Sequence, residues 1–130
     1  MSKEKFIEYW ISSSDRDFQA MTHLLEKGDY TWALFIGHLV IEKLIKGCYI
    51  KNVSNTPPFT HDLTRLAEKA NLELDENQKD LVDTISVFNL QARYDDYRME
   101  FYHKCTKDFA EKWIDIIREL RKWIKKKLIV

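Results

Sequence analysis

The sequence contains few residues that break helices and no pattern that would cross-link a fold. Among 130 residues there are three glycines and two prolines, and so few breakers among many charged residues favour long helices over strands. The two cysteines, Cys48 and Cys105, form no CxxC pair and no disulfide framework. We interpret them as reduced thiols in a reducing compartment. A domain of this length buries enough surface to fold without cross-links.

Long apolar runs and net charge are also missing. No segment reaches the roughly 18 uninterrupted apolar residues of a membrane span, and the first ten residues lack the apolar core of a signal peptide. We therefore expect a cytoplasmic protein that does not enter a membrane. Lys and Arg number 21, as do Asp and Glu. This balance argues against binding nucleic acid through overall charge, while a local basic patch stays compatible with it.

Apolar residues recur at helical spacing in five segments. This predicts a single domain over residues 1–130, folded as an all-α, five-helix, mostly antiparallel, up-and-down bundle. The expected helices cover residues 3–27, 30–51 and 62–70, a segment that starts after Asp75, and residues 106–127. The segment 93–98 breaks the apolar pattern and predicts a polar, aromatic connection. The second helix is apolar nearly all round, which predicts a central position or one between the core and a partner.

Three polar residues form a stripe on that second helix. His38, Glu42 and Lys46 are spaced four residues apart, with Phe35 and Tyr49 beside them. The stripe is consistent with a polar groove, with a Glu42–Lys46 salt bridge within the helix, or with a dimer face. His38 and Glu42 have the spacing of two metal ligands. No HExxH motif or third ligand at useful spacing accompanies them, so we expect no metal.

Four short pieces stand in order along the chain. They are residues 14–17 (SDRD), 37–46 (GHLVIEKLIK), 60–63 (THDL) and 92–94 (ARY). Together they resemble the HEPN (higher eukaryotes and prokaryotes nucleotide-binding) family over nearly the whole chain. The resemblance implies a helical bundle that commonly forms homodimers and binds a nucleotide or RNA. It also implies a separately encoded minimal nucleotidyltransferase as partner, in some pairs as toxin and antitoxin. It implies no cofactor.

Our first interpretation from this resemblance is a binding module without catalysis of its own. Arg93, Tyr94, His38 and Glu42 would line a polar groove, with Arg93 on a phosphate and Tyr94 on a base. Arg93 has a competing structural interpretation. Asp17 interrupts the apolar face of the first helix, and a buried carboxylate needs a partner, which favours an Asp17–Arg93 ion pair.

The second interpretation is a metal-independent endoribonuclease toxin. The toxic branch of the family uses an Arg and a His separated by four to six residues, and Arg98 and His103 match that pattern. His103 would be the acid/base and Arg98 the phosphate clamp. Cys105 stands where that branch often carries a tyrosine that receives AMP, and Arg93-Tyr94-Asp95-Asp96 looks more like the branch beside nucleotidyltransferases. A non-catalytic dimeric scaffold is the third alternative.

Overall fold

The computed structural model describes residues 2–129, and this part of the chain forms six α-helices and no strand. In chain order the helices are α1 (Lys3–Glu26), α2 (Tyr30–Asn52), α3 (Leu63–Lys69), α4 (Glu76–Arg93), α5 (Asp95–Lys104) and α6 (Lys107–Ile129). The predicted all-α class is confirmed. The five predicted helices correspond to α1–α4 and α6.

The helix ends follow local side-chain chemistry. Gly28 adopts a φ of 81° directly after α1, a conformation that glycine reaches without steric cost. Asp62 caps α3 by accepting a hydrogen bond from the Arg65 amide, and Asp75 forms a capping box with Gln78 at the start of α4. Asp29 occupies the cap position of α2, but its side chain makes no capping hydrogen bond.

Helix α5 corrects the predicted helix count. The sequence predicted a connection over 93–98, whereas Asp95–Lys104 is helical. Asp95 and Asp96 lie in its first turn, where negative charge stabilises the positive end of the helix dipole. Phe101 is the one buried residue of α5, and its ring packs 5.6 Å from that of Phe88. With a single inward residue, α5 has no apolar stripe for a periodicity argument to find.

Helix α2 is the centre of the bundle, as its sequence predicted. It packs against each of the other five helices. Twelve of its residues are buried, among them two glycines where neighbouring helices approach closely. A Cβ built on Gly37 would lie 2.6 Å from Ile117 Cδ1 of α6 and 3.2 Å from Met21 Sδ of α1. Glycine at this position therefore lets three helices meet at van der Waals distance.

The polar residues of α1 attach it to α2. Ser14 is fully buried, and its hydroxyl donates to the Val40 carbonyl at 2.8 Å. Asp17 pairs with Lys43, with Oδ2 and Nζ 2.6 Å apart. The predicted Asp17–Arg93 pair is therefore wrong. Lys43 reaches the carboxylate from the adjacent helix, and α1 and α2 are the most extensively packed pair.

Over residues 2–129, no helix combines the length and apolarity needed to cross a bilayer.

Candidate functional site

Three side chains from two separate segments meet inside the bundle, and we call them the buried cluster: His38, Glu42 and His61. His38 and Glu42 lie one turn apart on the same face of α2. His61 precedes the Asp62 cap of α3, so the start of α3 fixes its position. The loop that carries it contains Pro57 and Pro58, which exclude helix before Asp62.

The Glu42 carboxylate is the hub of the buried cluster. Its Oε1 accepts a hydrogen bond from His61 Nδ1 at 2.7 Å and lies 3.5 Å from His38 Nε2. Its Oε2 accepts from Lys46 Nζ at 3.2 Å, which confirms the predicted salt bridge within α2. His38 Nε2 also donates to the His61 carbonyl at 3.3 Å. A buried carboxylate with partners on both oxygens satisfies the requirement that buried charge be paired.

Burial decides the protonation of His38. The side chain is fully buried, and this loss of solvation lowers the pKa of His38, while the Glu42 carboxylate acts in the opposite direction. The ring is therefore neutral near pH 7. Glu42 is 3% exposed. The interpretation of this stripe as a dimer face is wrong, because residues this deeply buried cannot contact a second chain.

A groove opens where α4 ends, and we call it the α4 groove. It has a volume of about 500 Å³ and is lined by both polar and apolar residues: His61, Asp62, Asp83, Ser86, Val87, Asn89, Leu90, Arg93 and Tyr94. Arg93 and Tyr94 are both exposed, and the guanidinium carbon lies 5.7 Å from the phenol ring centre. The structure thus brings these two predicted residues together. His38 and Glu42, which were also predicted to line it, lie beneath the groove. Both contact His61, which is part of the groove wall.

Asn89 adds an unsatisfied polar group to this groove. The residue is 4% exposed, and its side-chain Oδ1 has no hydrogen-bond partner within the described residues. A buried acceptor without a donor is costly in a folded protein. No feature of the sequence pattern distinguished Asn89. It lies on the apolar stripe of α4 beside Phe88, where an asparagine resembles a simple interruption.

A second opening, the α5 cleft, contains the predicted nuclease pair. Arg98 and His103 line one cleft of about 530 Å³ together with Trp32 and Tyr102. The Arg98 guanidinium already has three neighbours: the Ala92 carbonyl at 3.4 Å, Asp95 at 3.5 Å and the Trp32 ring centre at 6.0 Å. His103 is exposed. The short helix α5 therefore places both residues at one surface opening.

Comparison with protein-family models identifies the family of this chain. The model of the HEPN domain matches residues 7–128, which is nearly the whole chain. The chain belongs to the HEPN family. No curated protein and no solved structure matches it.

In this HEPN domain three of the four pieces that carried the resemblance lie around the buried cluster and the α4 groove. Residues 37–46 and 60–63 contain the buried cluster, and residues 60–63 and 92–94 form part of the groove lining. Residues 14–17 lie on the opposite side of α2, where Ser14 and Asp17 attach α1. The sequence pattern includes His61 in the 60–63 piece and indicates no chemical role for it. A single histidine and an i, i+4 pair about 20 positions away show no relation until the chain folds.

Proposed function

We propose that this HEPN domain is a nucleotide-binding module, that it partners a separately encoded minimal nucleotidyltransferase, and that the α4 groove is its binding site. The observation that carries the proposal is the pairing of exposed Arg93 and Tyr94 over a groove of about 500 Å³. A guanidinium binds phosphate oxygens through paired N–H donors, and an aromatic ring stacks on a base. The groove volume lies in the usual range for small-molecule sites.

The groove wall also contains His61 and the carboxylates of Asp62 and Asp83. Asn89 Oδ1 is buried in that wall, so we assign it no contact with the ligand. His61 forms part of the wall, and Glu42 and His38 hold its ring and its carbonyl. In this proposal Arg93 and Tyr94 contact the nucleotide, while Glu42 and His38 are positioning residues.

Isothermal titration with AMP, GMP, CMP and UMP tests the groove. We expect binding of at least one nucleotide, weakened about tenfold or more by Arg93→Ala, because charge-assisted hydrogen bonds contribute roughly 1.5–3 kcal/mol. Tyr94→Ala should weaken it as well. The matched control is Arg118→Ala, which removes an exposed arginine on α6 that pairs with Asp115. Equal affinity in the Arg93 and Arg118 variants, or no binding at millimolar nucleotide, would refute the assignment.

An exposed apolar row in the wall of the groove supports a protein partner. Val87 and Leu90 lie on α4 and Tyr94 directly follows it, at spacings of three and four residues, and they are 43%, 47% and 50% exposed. Apolar side chains aligned on an open face are typical of interaction surfaces. We propose this row as the contact for the nucleotidyltransferase. We also propose that the chain forms a homodimer through a part of its surface outside this row. Co-purification with a nucleotidyltransferase encoded beside this chain should be lost with Leu90→Lys. Retained co-purification would exclude the row.

The α5 cleft supports a second candidate function, metal-independent RNA cleavage that could serve a toxin. The favouring observation is that Arg98 and His103 line the same opening. Purified protein in EDTA would then cleave RNA, and both Arg98→Ala and His103→Ala would abolish cleavage, whereas His23→Ala would not. Growth arrest on expression should likewise be relieved by His103→Ala. Absence of cleavage by folded protein removes this candidate and leaves the binding module.

A further inference from the structure

We propose that the buried cluster is a binding site for a divalent transition metal, with Zn²⁺ as the best fit. One donor atom from each of His38, Glu42 and His61 lies within 4.8 Å of the other two. The proposal is independent of nucleotide binding in the α4 groove. His61 is the third ligand that the spacing of His38 and Glu42 did not show, because it comes from the segment before α3.

The distances are close to those that a metal requires. Zinc binds His nitrogen and carboxylate oxygen at about 2.0–2.2 Å, so two ligands of a tetrahedral site lie roughly 3.3 Å apart. Glu42 Oε1 lies 3.5 Å from His38 Nε2 and 2.7 Å from His61 Nδ1. The shorter distance is that of a hydrogen bond whose proton the metal would replace. The side chain of His61 is 35% exposed and follows a loop, so it has room to move towards the geometry that a metal requires.

A tautomer change in each histidine ring accounts for the protons. Metal binding needs a free lone pair on His38 Nε2 and on His61 Nδ1, and both nitrogens donate hydrogen bonds without metal. In each neutral ring the proton moves to the other nitrogen, so none is released. His38 Nδ1 is already buried without a hydrogen-bond partner in the described structure. The tautomer change therefore adds no unpaired nitrogen on His38, while the His61 carbonyl gives up the hydrogen bond that His38 Nε2 donated to it.

The donor set and its surroundings select the metal. Two imidazoles and one carboxylate match the His₂Glu ligands found in zinc sites that keep a fourth position for water. Lys46 binds the other Glu42 oxygen at 3.2 Å, which leaves Oε1 for the metal but adds a nearby positive charge. That charge disfavours Mg²⁺ and Ca²⁺, which depend on several anionic oxygens, more than it disfavours Zn²⁺, which bonds strongly to imidazole.

Metal titration of the EDTA-stripped protein tests the proposal. Zn²⁺ binding is measured by isothermal titration, and Co²⁺ is used as a spectroscopic probe because its visible absorption reports coordination. The variants are His61→Gln and Glu42→Gln, with His23→Gln as the matched control. His23 is an exposed histidine on α1. Circular dichroism and thermal melting confirm that each variant is folded, and the half-buried position of His61 makes His61→Gln the variant best suited to remain so.

We expect one equivalent of Zn²⁺ per chain, weakened about tenfold or more in both cluster variants and unchanged in the His23 variant. The Co²⁺ spectrum should show nitrogen and oxygen coordination and should disappear with His61→Gln. The proposal is overturned if the parent protein does not bind Zn²⁺. It is also overturned if Zn²⁺ binding survives unchanged in folded His61→Gln. Co²⁺ absorption with strong thiolate bands would also overturn it, because it would place the metal on a cysteine.

Discussion

His61 Nδ1 donates a hydrogen bond to Glu42 Oε1 over 2.7 Å and thereby joins the segment before α3 to the middle of α2. The carboxylate is nearly inaccessible to solvent, and its second oxygen binds Lys46. Because α2 is the central helix, this contact connects the wall of the α4 groove to the best-packed part of the bundle. The position of the groove wall at His61 therefore depends on the packing of the core.

Replacing Glu42 with glutamine should destabilise the fold by about 3 kcal/mol, because removing one partner from a buried charge pair leaves the other charge unpaired. Lys46 would then face an amide in a nearly dry environment. Urea unfolding followed by circular dichroism measures the change in the free energy of unfolding. Glu119→Gln is the control, since its pair with Lys122 is exposed, and it should cause no measurable loss. Equal effects in the two variants would contradict the role of Glu42.

The ion pair between Asp17 and Lys43 should contribute about 1 kcal/mol of coupling in a double-mutant cycle, near the upper end for partly exposed pairs. Both side chains are 21% exposed, so water screens part of the attraction. The cycle uses Asp17→Asn and Lys43→Met. A parallel cycle with Asp17→Asn and Arg93→Met should give no coupling. Coupling in the second cycle and none in the first would restore the pair that the sequence predicted.

Gly37→Ala should destabilise the protein by roughly 1 kcal/mol despite the better helix propensity of alanine, because overpacking a core costs about 1–3 kcal/mol. The new methyl group would meet Ile117 Cδ1. Ile117→Val deletes that atom, so the double variant should lose less stability than the sum of the two single variants. Thermal or urea unfolding of all three proteins decides this. Strict additivity would show that the close contact carries no strain.

Both cysteine thiols should react slowly with iodoacetamide. Burial raises the pKa of Cys48 and of Cys105 to about 11 from an ordinary value of 9.0. The thiolate, which is the reactive form, is then about a hundredfold scarcer near pH 8. Because folding raises the pKa of both thiols, the buried protonated thiols contribute fully to the free energy of unfolding below pH 9. This contribution is lost between pH 9 and about 11. Alkylation in native buffer as fast as in urea would contradict the burial of these thiols.

The sequence predicted much of the fold because most of the helices have apolar residues that recur at helical spacing. The stripes of α1, α4 and α6 and the nearly continuous apolar surface of α2 are visible without a structure. Helix α5 has no apolar stripe, since Phe101 is its one buried residue. The candidate site was predicted in pieces. Arg93 and Tyr94 are neighbours in sequence and remain neighbours in space, and Asn89 lies one turn before Arg93 on α4. His61 joins the site through tertiary packing that local patterns do not encode.

The attachment of α5 through one side chain has a dynamic consequence. Opening this ten-residue helix requires the Phe101 ring to leave the core, whereas opening α2 requires the whole bundle to come apart. Backbone amides of α5 should therefore exchange with deuterium well before those of α2. Because Arg98 and His103 lie on α5, we expect local opening of this helix to change the shape of the α5 cleft while the core around the buried cluster stays folded.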